Sequence, residues 1–306
     1  MKVLITGATG LIGQAICRVL ASEGHQLVVL SRNAASATKL AAPRVFAWQP
    51  EQAEPPVEAF DGVEAVIHLA GENIAGRWTA ERKRRIRDSR VLGTQHLVAG
   101  MQRAAAPPRV FLSSSAVGFY GQHGAEVITE RAPRGSGFLA EVCEQWEAAA
   151  SRARTFGARV VTLRTGAVLS RAGGALKMML PAFQLGVAGK LADGQQWFSW
   201  IHLADLAGLY RHALLNAALS GPVNGTAPNP VTNEEFTKTL AAVLHRPALL
   251  PVPKLALELL LGELSTVVLA SQRVLPEAAL QAGYQFQFPR LRQALEDLLA
   301  VSAARA

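Results

Sequence analysis

The sequence predicts an α/β protein, a doubly wound parallel sheet with a smaller, mostly helical C-terminal domain. Three observations carry that expectation. Short apolar runs alternate with helix-length segments through the first two-thirds of the chain. A glycine-rich turn, Gly7 to Gly13, joins the first apolar run to the first helical pattern. Beyond about residue 170 the alternation gives way to prolines, glycines and helical spacing.

Taken in order, Val3–Thr6, Leu27–Ser31, Arg44–Ala47, Ala65–Leu69, Val110–Ser113 and Val160–Arg164 read as strands. Runs such as VVL and VVTL are apolar on both faces, which a sheet covered by helices on each side requires. Gly10–Glu23, Ala80–Ala104 and Phe138–Thr155 read as the intervening helices. Leu176–Leu185, Ile201–Asn216 and Pro289–Leu299 follow the same spacing. Thr232, three residues before Glu235, has capping chemistry for a helix reaching His245. This organisation divides the chain into a nucleotide-binding domain over residues 1–170 and a smaller substrate-side domain over 171–306, with 201–225 returning to the first.

Half of the 306 residues are hydrophobic and 18% are charged, a globular and not a disordered composition. MKVLITG runs straight into a strand without an apolar leader. The longest apolar runs, such as Leu255–Gly262, are broken by Glu258 and Glu263 and are too short to span a bilayer. The expectation is a cytoplasmic protein, monomeric or homodimeric, with no membrane partner. Cys17 and Cys143 are the only cysteines, which argues against a disulfide framework and a metal site. The net charge of +8 is mostly scattered arginine. Its one dense cluster, Arg82 to Arg85 with Arg87, reads as a solvated helix face rather than a nucleic-acid site.

Gly7-Ala8-Thr9-Gly10-Leu11-Ile12-Gly13 lies between a strand and a helix. The first glycine permits the tight turn, the second lets backbone approach a pyrophosphate, and the third brings helix against strand. The helix N-terminus then offers free N–H groups to phosphate. This is a Rossmann-type unit. Its second strand ends in Ser31-Arg32-Asn33, where an NAD site places a carboxylate for the ribose 2′-hydroxyl. No Asp or Glu occurs between Glu23 and Glu51, and Arg32 offers a permanently charged fork suited to a 2′-phosphate. The expected cofactor is therefore NADP(H). Arg90 falls on the inward face of its helix, with Ile86, Gly93, Leu97 and Met101, and needs an anionic partner. A nucleotide phosphate and a structural carboxylate serve equally well there.

These motifs resemble the extended short-chain dehydrogenase/reductase superfamily. GATGLIG at the start, HLAGEN at 68–73, SSSAVGFYG at 113–121, LRTGAVLS at 163–170 and WIHLADLAG at 200–208 carry the likeness. DSR at 88–90, FLAEVCEQWE at 138–147 and GYQFQFP at 283–289 resemble its sugar-nucleotide-epimerase-like branch. The resemblance implies that Leu69, Ala70 and Gly71 line the adenosine side and that Arg90 contacts the cofactor. It also implies that Val168 faces the nicotinamide end, and that Ser114 and Ser115 lie on the strand whose hydroxyl binds a substrate carbonyl.

The superfamily's acid/base is a tyrosine with a lysine four residues later. Residues four beyond the three tyrosines here are Gly124, Leu214 and Phe288, and no lysine occurs between Lys83 and Lys177. At the expected helix Phe138 stands for the tyrosine and Val142 for the lysine. Two function classes follow. One is an NADP(H)-dependent oxidoreductase or epimerase acting on a small molecule through other groups, with Ser115 and Tyr120 as catalytic candidates and Glu141, Cys143 and His202 as further ones. The other is an NADP(H)-binding sensor or scaffold without turnover. Trp197, Phe198 and Trp200 are either core or the wall of a pocket for a flat or sugar-like substrate.

Overall fold

Strands that alternate side chains between two covered faces are apolar on both, and the central strands of this chain are largely so. The computed structural model describes residues 1–33, 40 and 44–300. It places β1 (Lys2–Thr6), β2 (Gln26–Ser31), β3 (Arg44–Ala47), β4 (Ala65–His68), β5 (Val110–Ala116), β6 (Arg159–Thr165) and β7 (Gly221–Gly225) in one parallel sheet. Their order is β7-β6-β5-β4-β1-β2-β3. The direction of winding reverses between β1 and β4, so a crevice opens at the carboxyl ends of those strands, where ligands of such sheets bind.

On one face Val3, Ile5, Val29 and Ile67 pack with Ile16 and Leu20 of α1 (Leu11–Ser22). On the other, Leu4, Leu30, Val66 and Phe111 pack with Leu97 and Met101 of α2 (Ala80–Arg103) and Ala150 of α3 (Phe138–Ser151). A third cluster lies outside the sheet. It joins α4 (Gly174–Gln184) to Trp200, and then to α6 (Asn233–Leu244) and α8 (Leu291–Ala300). Between the sheet and this third cluster, α5 (Leu203–Leu215) returns to the first face through Leu206, Leu209 and Tyr210. Arg159 at the start of β6 donates to the carbonyls of Ala213, Leu214 and Leu219 at 2.8–2.9 Å, tying that strand to the end of α5.

Several element boundaries differ from the sequence reading for local reasons. Ile201 and His202 do not open α5. They form the short strand Trp200–His202, parallel to Ala167–Leu169, and His202 then caps the helix by accepting from the Ala204 N–H at 3.0 Å. The helix at 138 ends at Ser151 and tightens into a 3₁₀ turn, Arg152–Phe156, closed by Gly157 at φ +87°. The leucine-rich run after Pro253 is a helix, α7 (Lys254–Leu261). Among the described residues no helix is long and apolar enough to cross a membrane.

Candidate functional site

At the crevice the glycines do what their positions require. Gly7 takes φ +69°, and a Cβ there would lie 2.8 Å from the Leu69 carbonyl carbon, so only glycine lets the loop pass the end of β4. A Cβ on Gly13 would fall 2.3 Å from the Gly7 carbonyl oxygen, so α1 seats directly on the turn. Gly10 is the N-cap of α1, exposed and without a side-chain cap, so the first-turn N–H groups of Leu11, Ile12 and Gly13 have no intrahelical acceptor. Beside them Gly173 approaches Leu11, with 3.4 Å from a Cβ position to Leu11 Cδ2, and Gly174 lies against the Val168 carbonyl. Thr9, whose carbonyl accepts from Gln14 Nε2 at 2.7 Å, completes the turn. These residues make a cradle that fits a dinucleotide pyrophosphate.

The loop after β4 is held by a polar chain that the sequence reading missed. Thr94 Oγ1 donates to the Arg90 carbonyl, so it must accept from His68 Nε2, 3.0 Å away. His68 Nδ1 then accepts from Thr6 Oγ1 at 2.7 Å, and Thr6 accepts from the N–H groups of Leu69 and Ala70 at 3.2 and 3.1 Å. His68 is fully buried. Burial, with the Arg90 charge adding to it, holds its pKa down at about 3, so the ring stays neutral and serves as a brace. Arg90 packs its guanidinium on Gly71, 3.4 Å from a Cβ position there, and lies 5.3 Å from the centre of the Trp146 ring. Burial pushes Arg90 below its ordinary pKa, opposed by Cys143 and Glu72. Among the described residues it forms no ion pair, so an anion is wanted where it lies. Trp146 Nε1, in the same place, is buried without a hydrogen-bond partner.

At the end of β2 the Ser31 hydroxyl donates to the Asn33 carbonyl at 2.9 Å, forming a turn that leaves Arg32 exposed. Residues 34–39 lie outside the described residues.

The two catalytic candidates do not reach the open face. Ser115, 4% exposed, donates to Glu147 Oε1 at 2.6 Å. Glu147 is itself held in a buried pair by Arg164, Nε to Oε1 and Nη2 to Oε2 both at 2.8 Å. Tyr120 is fully buried, donates to Asn224 Oδ1 at 2.7 Å and accepts from Arg164 Nη1 at 3.1 Å. Burial raises the Tyr120 pKa, opposed by Arg164, so the phenol is a saturated, neutral donor. Both residues are thus joined to a buried network of internal partners. Cys143 is buried and pushed up to about 11, chiefly by burial, and His202 is a helix cap. Glu141 lies exposed in the first turn of α3. Neither Glu147 nor Arg164 was singled out from the sequence, although Arg164 inside an apolar strand run was a signal that a buried partner had to exist.

Where the resemblance leads one to expect the tyrosine and lysine, Phe138 meets Trp78 edge-on at 5.3 Å, and Val142 is buried. The Lys83 ammonium lies 5.0 Å from the Phe138 ring centre. Of the three aromatics near 200, Trp200 is core and Phe198 packs on Phe236 at 4.9 Å. Trp197 lines a cavity of about 710 Å³ with Gln122, Asp193, Gln196 and Lys254.

Residues 3–224 match the model of the NAD dependent epimerase/dehydratase family, and residues 252–298 match a domain of unknown function, DUF1731. The chain is 42% identical to the epimerase family protein SDR39U1 homolog, chloroplastic, of Arabidopsis thaliana, covering 98% of this chain and 87% of that one. It is 38% identical to the epimerase family protein YfhF of Bacillus subtilis, covering 98% of each. The crystal structure of human epimerase family protein SDR39U1 (isoform 2) with NADPH superposes with a TM-score of 0.88 at 34% identity, over 98% of this chain and 99% of that one. With its glycine turn, its winding reversal between β1 and β4 and these relatives, the chain belongs to the NAD dependent epimerase/dehydratase family.

Proposed function

We propose that this protein binds NADP(H) and works as an oxidoreductase or epimerase on a small-molecule substrate, without the usual tyrosine–lysine dyad. The observation that carries the cofactor choice is the end of β2, where Arg32 is exposed and no carboxylate stands between Glu23 and Glu51. The NADPH bound by the human relative supports the same choice. In this reading Gly7, Thr9, Gly10, Leu11, Ile12 and Gly13 hold the pyrophosphate, and Ser31 and Arg32 take the 2′-phosphate. Leu69, Ala70 and Gly71 flank the adenosine, Arg90 supplies a charge to the cofactor, and Val168 flanks the nicotinamide. The cofactor supplies or accepts the hydride. The protein's own part is to orient it, exclude water with Phe138 and Trp78, and hold the substrate. A second reading, a sensor or scaffold that binds NADP(H) without turnover, is favoured by the commitment of Ser115 and Tyr120 to internal partners.

A nucleic-acid role is not part of this proposal, because three of the five cations of the basic cluster are paired within the protein. Arg82 meets Glu72 at 2.7 Å, Lys83 meets Glu263 at 2.8 Å and Arg87 meets Asp88 at 2.9 Å. Calorimetric titration with NADPH and NADH tests the cofactor reading. A charged contact of about 1.5–3 kcal/mol predicts a preference for NADPH of roughly tenfold or more, lost in Arg32→Ala. Equal affinities, or a variant with its preference intact, refute it.

A further inference from the structure

The Lys83 ammonium is bound by a carboxylate from the far end of the chain. Both oxygens of Glu263 lie within reach of Nζ, at 2.8 and 3.1 Å, and Glu263 sits on the turn Gly262–Leu264 that follows α7. The two side chains are 33% and 43% exposed, so solvent reaches the pair. Exposed pairs of this kind contribute little to stability. Next to them Arg77 is exposed and packs near the same turn, its Cγ 4.0 Å from a Cβ position on Gly262, and it forms no ion pair among the described residues. Arg82 is already taken up by Glu72. Lys83 and its carboxylate therefore lie beside the half-buried Phe138 ring, with the exposed Arg77 close to the same turn.

We propose that the position vacated by the dyad is a carboxylate-recognition site. The substrate's carboxylate displaces Glu263 from Lys83, and its flat apolar body lies on Phe138. Glu263 is the template: a carboxylate with two oxygens on one ammonium is already accommodated there. The Arg77 charge near the same turn adds to the attraction for an anion, and the Phe138 ring offers a ligand no hydrogen-bond partner, so polar recognition falls to its charged end. This inference rests on the reading of the Phe138 end of the crevice as the substrate end.

The test compares 4-fluorobenzoate with 4-fluorobenzamide, which differ in charge and hardly in shape, by ¹⁹F NMR titration with and without NADP⁺. The benzoate is expected to bind about tenfold more tightly than the amide. Lys83→Met should erase the difference, Lys83→Arg should keep it, and Glu263→Gln should tighten benzoate because the resident competitor loses its charge. Equal binding of the two probes overturns the proposal. So does a preference that survives Lys83→Met, or a loss of benzoate binding in a folded Glu263→Gln protein. Because the chain alone builds this site, titration without cofactor decides the proposal even if NADP(H) binding itself fails. A failed cofactor titration with intact benzoate preference would count against the cofactor reading alone.

Discussion

Replacing Thr6 with valine removes one oxygen and almost no volume, yet that oxygen organises the end of β4. The hydroxyl accepts from two backbone N–H groups and donates to His68 Nδ1. Without it His68 keeps a fully buried acceptor with no donor, a penalty of about 1–3 kcal/mol. The Leu69 N–H keeps the Thr6 backbone carbonyl at 3.2 Å, while the half-buried Ala70 N–H partly recovers by hydration and loses a net of about 0.5 kcal/mol or more. The sum is about 2.5 kcal/mol, which in a chain of this size lowers Tm by roughly 5–10 °C. Thr6→Ser keeps the oxygen and loses one methyl group, about 0.8 kcal/mol. The pair is to be compared by thermal melting and by NADPH titration. The valine variant should also bind NADPH about tenfold more weakly, because the loop proposed to flank the adenosine loses its anchor. If the two variants melt within about 2 °C of each other and bind NADPH alike, the brace has no energetic weight.

Gly10→Val should stay folded by circular dichroism, since Gly10 has φ −75° and a Cβ there meets only the Gly7 carbonyl oxygen at 3.3 Å, yet lose NADPH binding; normal binding would remove the pyrophosphate from this turn. Glu147→Gln leaves the buried Arg164 charge uncompensated and should cost about 3–5 kcal/mol in denaturant unfolding, so a near-neutral variant would show the pair to be dispensable. His68 titrates near 6.5 when unfolded and at about 3 when folded. Its contribution is therefore complete above pH 6.5 and is lost as pH falls from there towards 3, by up to about 1.4 kcal/mol per pH unit. Urea unfolding between pH 7.5 and 5 should show that slope and His68→Gln should flatten it; identical slopes would sink the assignment. UDP-glucose should not be epimerised, because Phe138 exchanges no proton, and turnover at roughly 1–10³ s⁻¹ would require another base.

Most of the sheet could be read from the sequence because strands buried on both faces are locally apolar, and because glycine at 7, 10 and 13 answers to backbone geometry alone. What escaped depends on distant partners. The strand Trp200–His202 exists because Ala167–Leu169 runs beside it, and a three-residue strand carries no periodicity of its own. Ser115 and Tyr120 looked catalytic by their place in a motif. Their burial follows from Arg164 and Glu147, and no spacing connects those two to either residue. The pairing of Lys83 with Glu263, 180 positions apart, was equally invisible.

The seventh strand also sets the order in which the chain can fold. Strand β6 is complete at Thr165, but its partner β7 is Gly221–Gly225, and the helix that Arg159 clasps ends at Leu215. A chain growing from its N-terminus therefore holds an apolar strand edge open while the excursion through α4 and Trp200 is being made. The nascent sheet is vulnerable to aggregation during that interval. A fragment stopped near residue 170 would keep this edge permanently, so the nucleotide half should be insoluble or captured by chaperones when expressed alone, and should recover when the chain is extended past Gly225.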